Sequence, residues 1–271
     1  MLFLLLSPTF LVGQNPQLTQ ELNVYLAKYP TMNFSLSVQT LKGETLFEHN
    51  SDALMPAASI IKIPILIEFM EEVKAGKFNL TDKHILLASE KVEGGALFDY
   101  PNDTILTLRD LAKQMIVSSD NSATNILIRK MGMAAVNQRL EKLGIKKTKL
   151  NRVMLDTEAV KQGRENYVNT LEINNLLRLI YKNKVATKAL CREMMAFLFG
   201  CTDRSTIPNL IPPSVKIAHK TGELNYVRGD AAIIFTPKPF VVSVFIKNFN
   251  NLKEAEQTIA EIGEICWKNL K

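Results

Sequence analysis

Ser59 and Lys62 stand three positions apart in the apolar stretch "MPAASIIKIPILIEFM" of residues 55–70, and this pair has the types and spacing to do chemistry. On a helix, positions i and i+3 share a face, so the lysine amine reaches the serine hydroxyl. If Ser59 opens that helix, its backbone N–H and the positive end of the dipole face a reacting oxygen. A lysine serves as a base only with a depressed pKa, which burial and nearby positive charge supply. Taken alone, Ser-x-x-Lys equally fits a snorkelling lysine beside a capping serine, so its partners decide. Two further triplets are candidates. "SSDNSATN" supplies Ser119, Asp120 and Asn121 at the end of an apolar helix, and "AHKTGE" supplies Lys220, Thr221 and Gly222 on a strand, where glycine permits close backbone approach.

The elements that must position these groups follow from periodicity. Residues 17–29 carry Leu18, Leu22, Leu26 and Tyr29 at helical spacing, and "NFSLSVQTL" and "GETLFEH" alternate around a Lys42-Gly43 turn as a hairpin does. Helical patterns then cover residues 60–74, 108–117, 123–130, 134–143, 171–181 and 188–199, with one long irregular stretch over residues 146–169. The period reverts to two in "VKIAHKTG", "GDAAIIFT" and "FVVSVFI", and residues 251–270 close the chain as an amphipathic helix. The economical architecture is α/β (α+β). An antiparallel sheet is built from both ends of the chain and flanked by the terminal helices, with an all-helical domain inserted between its second and third strands. The α/β part takes residues 15–56 and 213–271, and the helical part residues 57–212.

Composition narrows the function classes. Of 271 residues, 46% are hydrophobic and 22% charged, as in an ordinary globular enzyme. The net charge of +6 is scattered without basic blocks or interleaved aromatics, which argues against nucleic acid and suits an anionic small molecule. The apolar start, residues 1–14, is too short to span a bilayer and reads as a secretory signal, so the mature protein is expected to be periplasmic or secreted, without a membrane span. Cys191, Cys201 and Cys266 are odd in number and lie in helical stretches, which favours small buried hydrophobes over disulfides or zinc. His49, His84 and His219 form no metal-ligand pattern, and His219 should face away from Lys220 on its strand, so no metal or other cofactor is expected.

Taken in order, Ser-x-x-Lys, Ser-Asp-Asn and Lys-Thr-Gly resemble the motif set of the penicillin-recognising serine enzymes, and the chain looks like a class A β-lactamase from about Leu18 onward. The resemblance implies the five-stranded β-lactamase/transpeptidase-like fold and a monomer that hydrolyses a β-lactam amide through an acyl-enzyme. Ser59 would be the nucleophile, Lys62 its proton acceptor, and Ser119 the proton relay to the leaving nitrogen. Asn121 would hold the substrate's side-chain amide, Asp120 would brace its loop, and Lys220, Thr221 and Gly222 would form the carboxylate-binding strand. The backbone N–H groups of Ser59 and Glu223 would form the oxyanion hole, and Arg228 would add charge near the carboxylate. The substrate would be a β-lactam or a peptidoglycan-like acyl-peptide. A D-alanyl-D-alanine carboxypeptidase and a non-hydrolytic penicillin-binding protein share much of this pattern.

The family also uses a loop glutamate to activate the deacylating water, and here the pattern frays. Spacing after Ser119 favours Glu158, wording ("RENYVN") favours Glu165, and Asp156 is the third option.

Overall fold

The computed structural model describes residues 15–271; the leader expected over residues 1–14 lies outside them. Helix α1 (Pro16–Leu26) begins where Asn15 caps it, its side chain accepting from the Leu18 N–H, and it buries Leu18, Leu22, Tyr25 and Leu26. Strands β1 (Asn33–Thr40) and β2 (Thr45–His49) form the expected hairpin. At its turn Gly43 has φ +105, and a Cβ there would lie 2.3 Å from the Arg178 guanidinium. The remaining sheet strands are β3 (Lys216–Leu224), β4 (Val227–Phe235) and β5 (Phe240–Lys247). The order is β2-β1-β5-β4-β3, antiparallel throughout, so the last strand completes the middle of the sheet.

Strands β4 and β5 are covered on both faces, and their alternation assigns each face to one core. Ala231, Ile233, Val241 and Phe245 join the helical side, whereas Ala232, Ile234, Val242, Val244 and Ile246 join α1 and α9 (Leu252–Leu270).

The helical part is arranged around α2 (Lys62–Lys74), which is buried over most of its length because its sequence is apolar nearly all round. Around it pack α3 (Leu108–Val117), α4 (Asn121–Met131), α5 (Met133–Lys142), α7 (Thr170–Tyr181) and α8 (Lys188–Phe199). Caps set boundaries that periodicity leaves one or two residues adrift. Asp120 accepts from the Ala123 N–H, so α4 starts at Asn121, and Asn169 does the same for α7. The stretch 146–169 is more ordered than its irregular wording suggests. It contains the short helix α6 (Thr157–Lys161), and Tyr167–Val168 pairs with Met55–Pro56 just before Ser59. Among the described residues no helix is long and apolar enough to cross a membrane.

Candidate active site

Ser59 lies in a 3-10 turn, Ala58–Ile61, that leads directly into α2 at Lys62. Its predecessor Ala58 has φ +45, a left-handed conformation that costs an L-residue about 1 kcal/mol. The surroundings hold it there. The Ala57 N–H donates to Asn166 O at 2.8 Å, and Gly222 passes so close that a Cβ would sit 3.1 Å from Ala57 O and from Ala58 Cβ. The glycine of Lys-Thr-Gly thus allows the strand to lie against the Ser59 turn.

Lys62 is fully buried, and its Nζ contacts Ser59 Oγ at 3.0 Å, Asn121 Oδ1 at 2.8 Å, Ser119 O at 2.6 Å and Ser119 Oγ at 3.2 Å. Burial first, and the Lys220 charge second, hold its ammonium well below the ordinary lysine value, while Asp120 opposes them. Lys220 Nζ donates to Ser119 Oγ at 3.0 Å from the other side and to Thr221 O at 2.9 Å, and burial lowers its pKa too. Ser119 therefore bridges two buried amines, on a backbone at φ +56.

Asp120 is the brace for that backbone. Its carboxylate accepts from the Leu97 N–H at 2.7 Å and the Ala123 N–H at 2.8 Å, and Gly95 packs where a Cβ would be 2.3 Å from Asp120 Oδ2. Asn121 Nδ2 donates to Glu93 O at 2.9 Å. The segment "EGGALFDYP" thus abuts the Ser-Asp-Asn turn through its glycines, while Phe98 is exposed and Tyr100 packs partly against the helical core.

Two cavities open beside Ser59, and Ser59 and Glu223 line both. The larger, about 390 Å³, runs under the 146–169 loop; the smaller, about 140 Å³, includes Ser119, Lys220, Thr221 and Arg228. Arg228 is buried and tied to Asp203 (2.6 Å), Ser205 Oγ (2.8 Å) and Glu256 (3.0 Å), so its charge is already balanced within the protein. Burial raises the Asp203 carboxyl, but the Arg228 hydrogen bond and charge outweigh it and hold it below the usual range.

The three loop carboxylates differ in placement. Glu158 is 71% exposed, pairs with Lys161 at 2.7 Å and is not among the residues lining the large cavity. Asp156 lines that cavity and caps α6 through the Ala159 N–H. Glu165 also lines it but is held by Arg152 (2.8 and 2.9 Å), the Asn166 N–H (2.7 Å) and the Tyr226 hydroxyl (3.3 Å).

Met154, which sequence reasoning passed over, lines the same cavity as Ser59. Its backbone is fixed from α4, with Met154 N–H donating to Asn125 Oδ1 at 2.7 Å and Asn125 Nδ2 donating to Met154 O at 3.1 Å. Asn125 follows Asn121 by four positions and so shares its helix face, the one signal in the sequence that pointed here. No group of three or more His, Cys, Asp or Glu among the described residues could hold a metal ion.

A family model described as the β-lactamase enzyme family matches residues 17–270. The VEB-1 β-lactamase of Pseudomonas aeruginosa is 24% identical over 246 residues, covering 80% of this chain and 79% of that protein. The solved structure of a β-lactamase from Sphaerobacter thermophilus is 32% identical with TM-score 0.83, covering 91% of this chain and 94% of its own. PBP-A, solved also as an L158E mutant in an acyl-enzyme complex with penicillin G, shares the fold at TM-score 0.85 and 23% identity, covering 94% of this chain and 96% of that one. From sequence and fold alike, the chain belongs to the β-lactamase enzyme family.

Proposed function

We propose that this protein is a serine hydrolase that opens β-lactam amides through an acyl-enzyme on Ser59, with acylation fast relative to deacylation. The observation that carries it is Lys62. Its buried Nζ lies 3.0 Å from Ser59 Oγ, and its pKa is lowered toward the neutral amine that a base requires. Lys62 takes the Ser59 proton as Oγ attacks the carbonyl carbon, and Ser119, which touches both lysines, passes a proton to the departing nitrogen. The backbone N–H groups of Ser59 and Glu223 stabilise the oxyanion, a contribution of roughly 3 kcal/mol for each such donor. Lys220 and Thr221 take the substrate carboxylate, and Asn121 its side-chain amide. A signal over residues 1–14 would deliver this chemistry to the periplasm or the exterior.

A second reading, a D-alanyl-peptide carboxypeptidase or penicillin-binding protein, is favoured by Met154. The loop presents a thioether at the cavity, while Glu158 and Glu165 are committed to Lys161 and Arg152. One experiment tests the nucleophile and the rate of deacylation together. The protein is mixed with a chromogenic cephalosporin, and product and intact mass are followed together. We expect an adduct on Ser59, absent in Ser59→Ala, that outlasts the first turnover. Sustained rapid turnover without an observable adduct would refute slow deacylation, and no adduct and no product would refute the nucleophile.

A further inference from the structure

Cys201 sits immediately after α8, where Thr202 N–H and Oγ1 both donate to Val117 O (3.0 and 2.9 Å), fixing the chain beside the Ser-Asp-Asn turn. It is 5% exposed and lines the 140 Å³ recess together with Ser59, Ser119, Lys220 and Thr221. Behind it lies a second polar group that the chemistry above does not use. His219 is wholly buried, its Nδ1 lies 3.2 Å from Asp230 Oδ1, and Asp230 Oδ2 accepts from Thr206 Oγ1 at 2.7 Å. The other ring nitrogen, Nε2, is buried with no hydrogen-bond partner, and the Cys201 thiol lies near enough for the two groups to feel each other's charge. A thiol on the wall of the recess is thus backed by a buried imidazole–carboxylate pair.

The other two thiols differ. Cys191 Sγ donates to Val185 O at 2.6 Å, and burial raises its pKa. Cys266 lies wholly inside the core, and burial pushes it up to about 12. At Cys201 burial also raises the pKa, but the His219 contact and the charges of His219 and Lys220 outweigh it and leave the thiol below its ordinary value.

We propose that Cys201 is a site of reversible oxidation by peroxides, and that its sulfenic acid closes the recess in which Lys220 and Thr221 take the substrate carboxylate. The second half rests on the function proposed above; the first does not. The Cys201 sulfur attacks one peroxide oxygen, so that an S–O bond forms as the O–O bond breaks. Sulfur gives two electrons to the peroxide, and the departing hydroxide takes the thiol proton, held by His219, and leaves as water. The added oxygen occupies part of a small recess and offers its own hydrogen bonds where the carboxylate would bind. A thiol reductant restores Cys201.

The test treats the full chain with hydrogen peroxide, traps sulfenic acid with dimedone, and maps the label by mass. In parallel, adduct formation with a chromogenic cephalosporin is timed before oxidation, after it, and after dithiothreitol. The label is expected at Cys201 and not at Cys191 or Cys266, with acylation slowed about tenfold and restored by the reductant. Cys201→Ala, whatever its own rate, should not respond to peroxide, and His219→Gln should label more slowly. No label at Cys201 overturns the site, and a label without slower acylation overturns the closure. Equal peroxide sensitivity in Cys201→Ala would assign the effect to another residue and overturn it as well. If the untreated protein forms no adduct, the functional reading has failed, and the dimedone mass still decides the site.

Discussion

Lys62 Nζ meets four oxygens but serves only three of them, with three protons as an ammonium or with two protons and a lone pair as a neutral amine. The neutral amine, which alone can take the Ser59 proton, accepts from Ser59 and donates to two others, and the longest contact, to Ser119 Oγ at 3.2 Å, is left to Lys220. Acylation should therefore fall as pH drops through the lowered pKa of Lys62, on a limb well below the lysine value of 10.5. Removing the Lys220 charge should move that limb to higher pH, because one of the two causes of the depression is gone. The pH profile of the acylation rate in Lys220→Gln checks this, apart from its lower overall rate. At Met154, a carboxylate placed on the same fixed backbone would face the acyl group. Met154→Glu should shorten the adduct's lifetime by about 10²-fold, the usual range for general-base assistance, as read by intact mass over time. The serines and lysines were legible because their side chains carry chemistry wherever they stand. Met154 and Cys201 were not, because an apolar or small residue in a loop has no signature until Asn125 or His219 is brought beside it.

At the scale of elements, the 146–169 loop is held by a buried charge pair rather than by regular structure. Glu165→Gln leaves Arg152 without its counter-charge, and breaking a buried pair of this kind costs about 3 kcal/mol. Glu158→Gln, at an exposed pair, should stay within about 0.5 kcal/mol. Thermal unfolding of the two variants compares them directly. Strand β3 carries a second pH signature. Burial lowers His219, yet the charge and contact of Asp230 outweigh it and push it up to about 10 from 6.5. A raised pKa means stability fully present below 6.5 and lost as pH rises through about 10. His219→Gln should flatten that decline in denaturant midpoints measured across the interval. The faces of β3 were readable from its alternation, which sends Lys220 to Ser119 and His219 to Asp230. The order inside residues 146–169 was not, since it depends on Asn125 and on pairing with Met55–Pro56.

For the whole molecule, the switch between periods of two and 3.6 was enough to place the sheet at the chain's ends and the helices between them. Element boundaries were less legible, because side-chain caps such as Asp120 fix them locally. The groups proposed to react come from three distant stretches. The 3-10 turn and α2 after the first hairpin give Ser59 and Lys62, the α3–α4 turn gives Ser119, and the sheet's edge strand gives Lys220.

That arrangement has a consequence for the chain during its synthesis. Strand β5 lies between β1 and β4, pairing Asn33 with Lys247 and Val227 with the same Lys247, so the sheet stays in two unjoined pieces until β5 has left the ribosome. Until then Gly222 cannot be pressed against the Ser59 turn, and Lys220 is not there to depress Lys62. The nascent protein thus carries its proposed nucleophile, Ser59, unarmed until β5 has emerged and joined the two pieces.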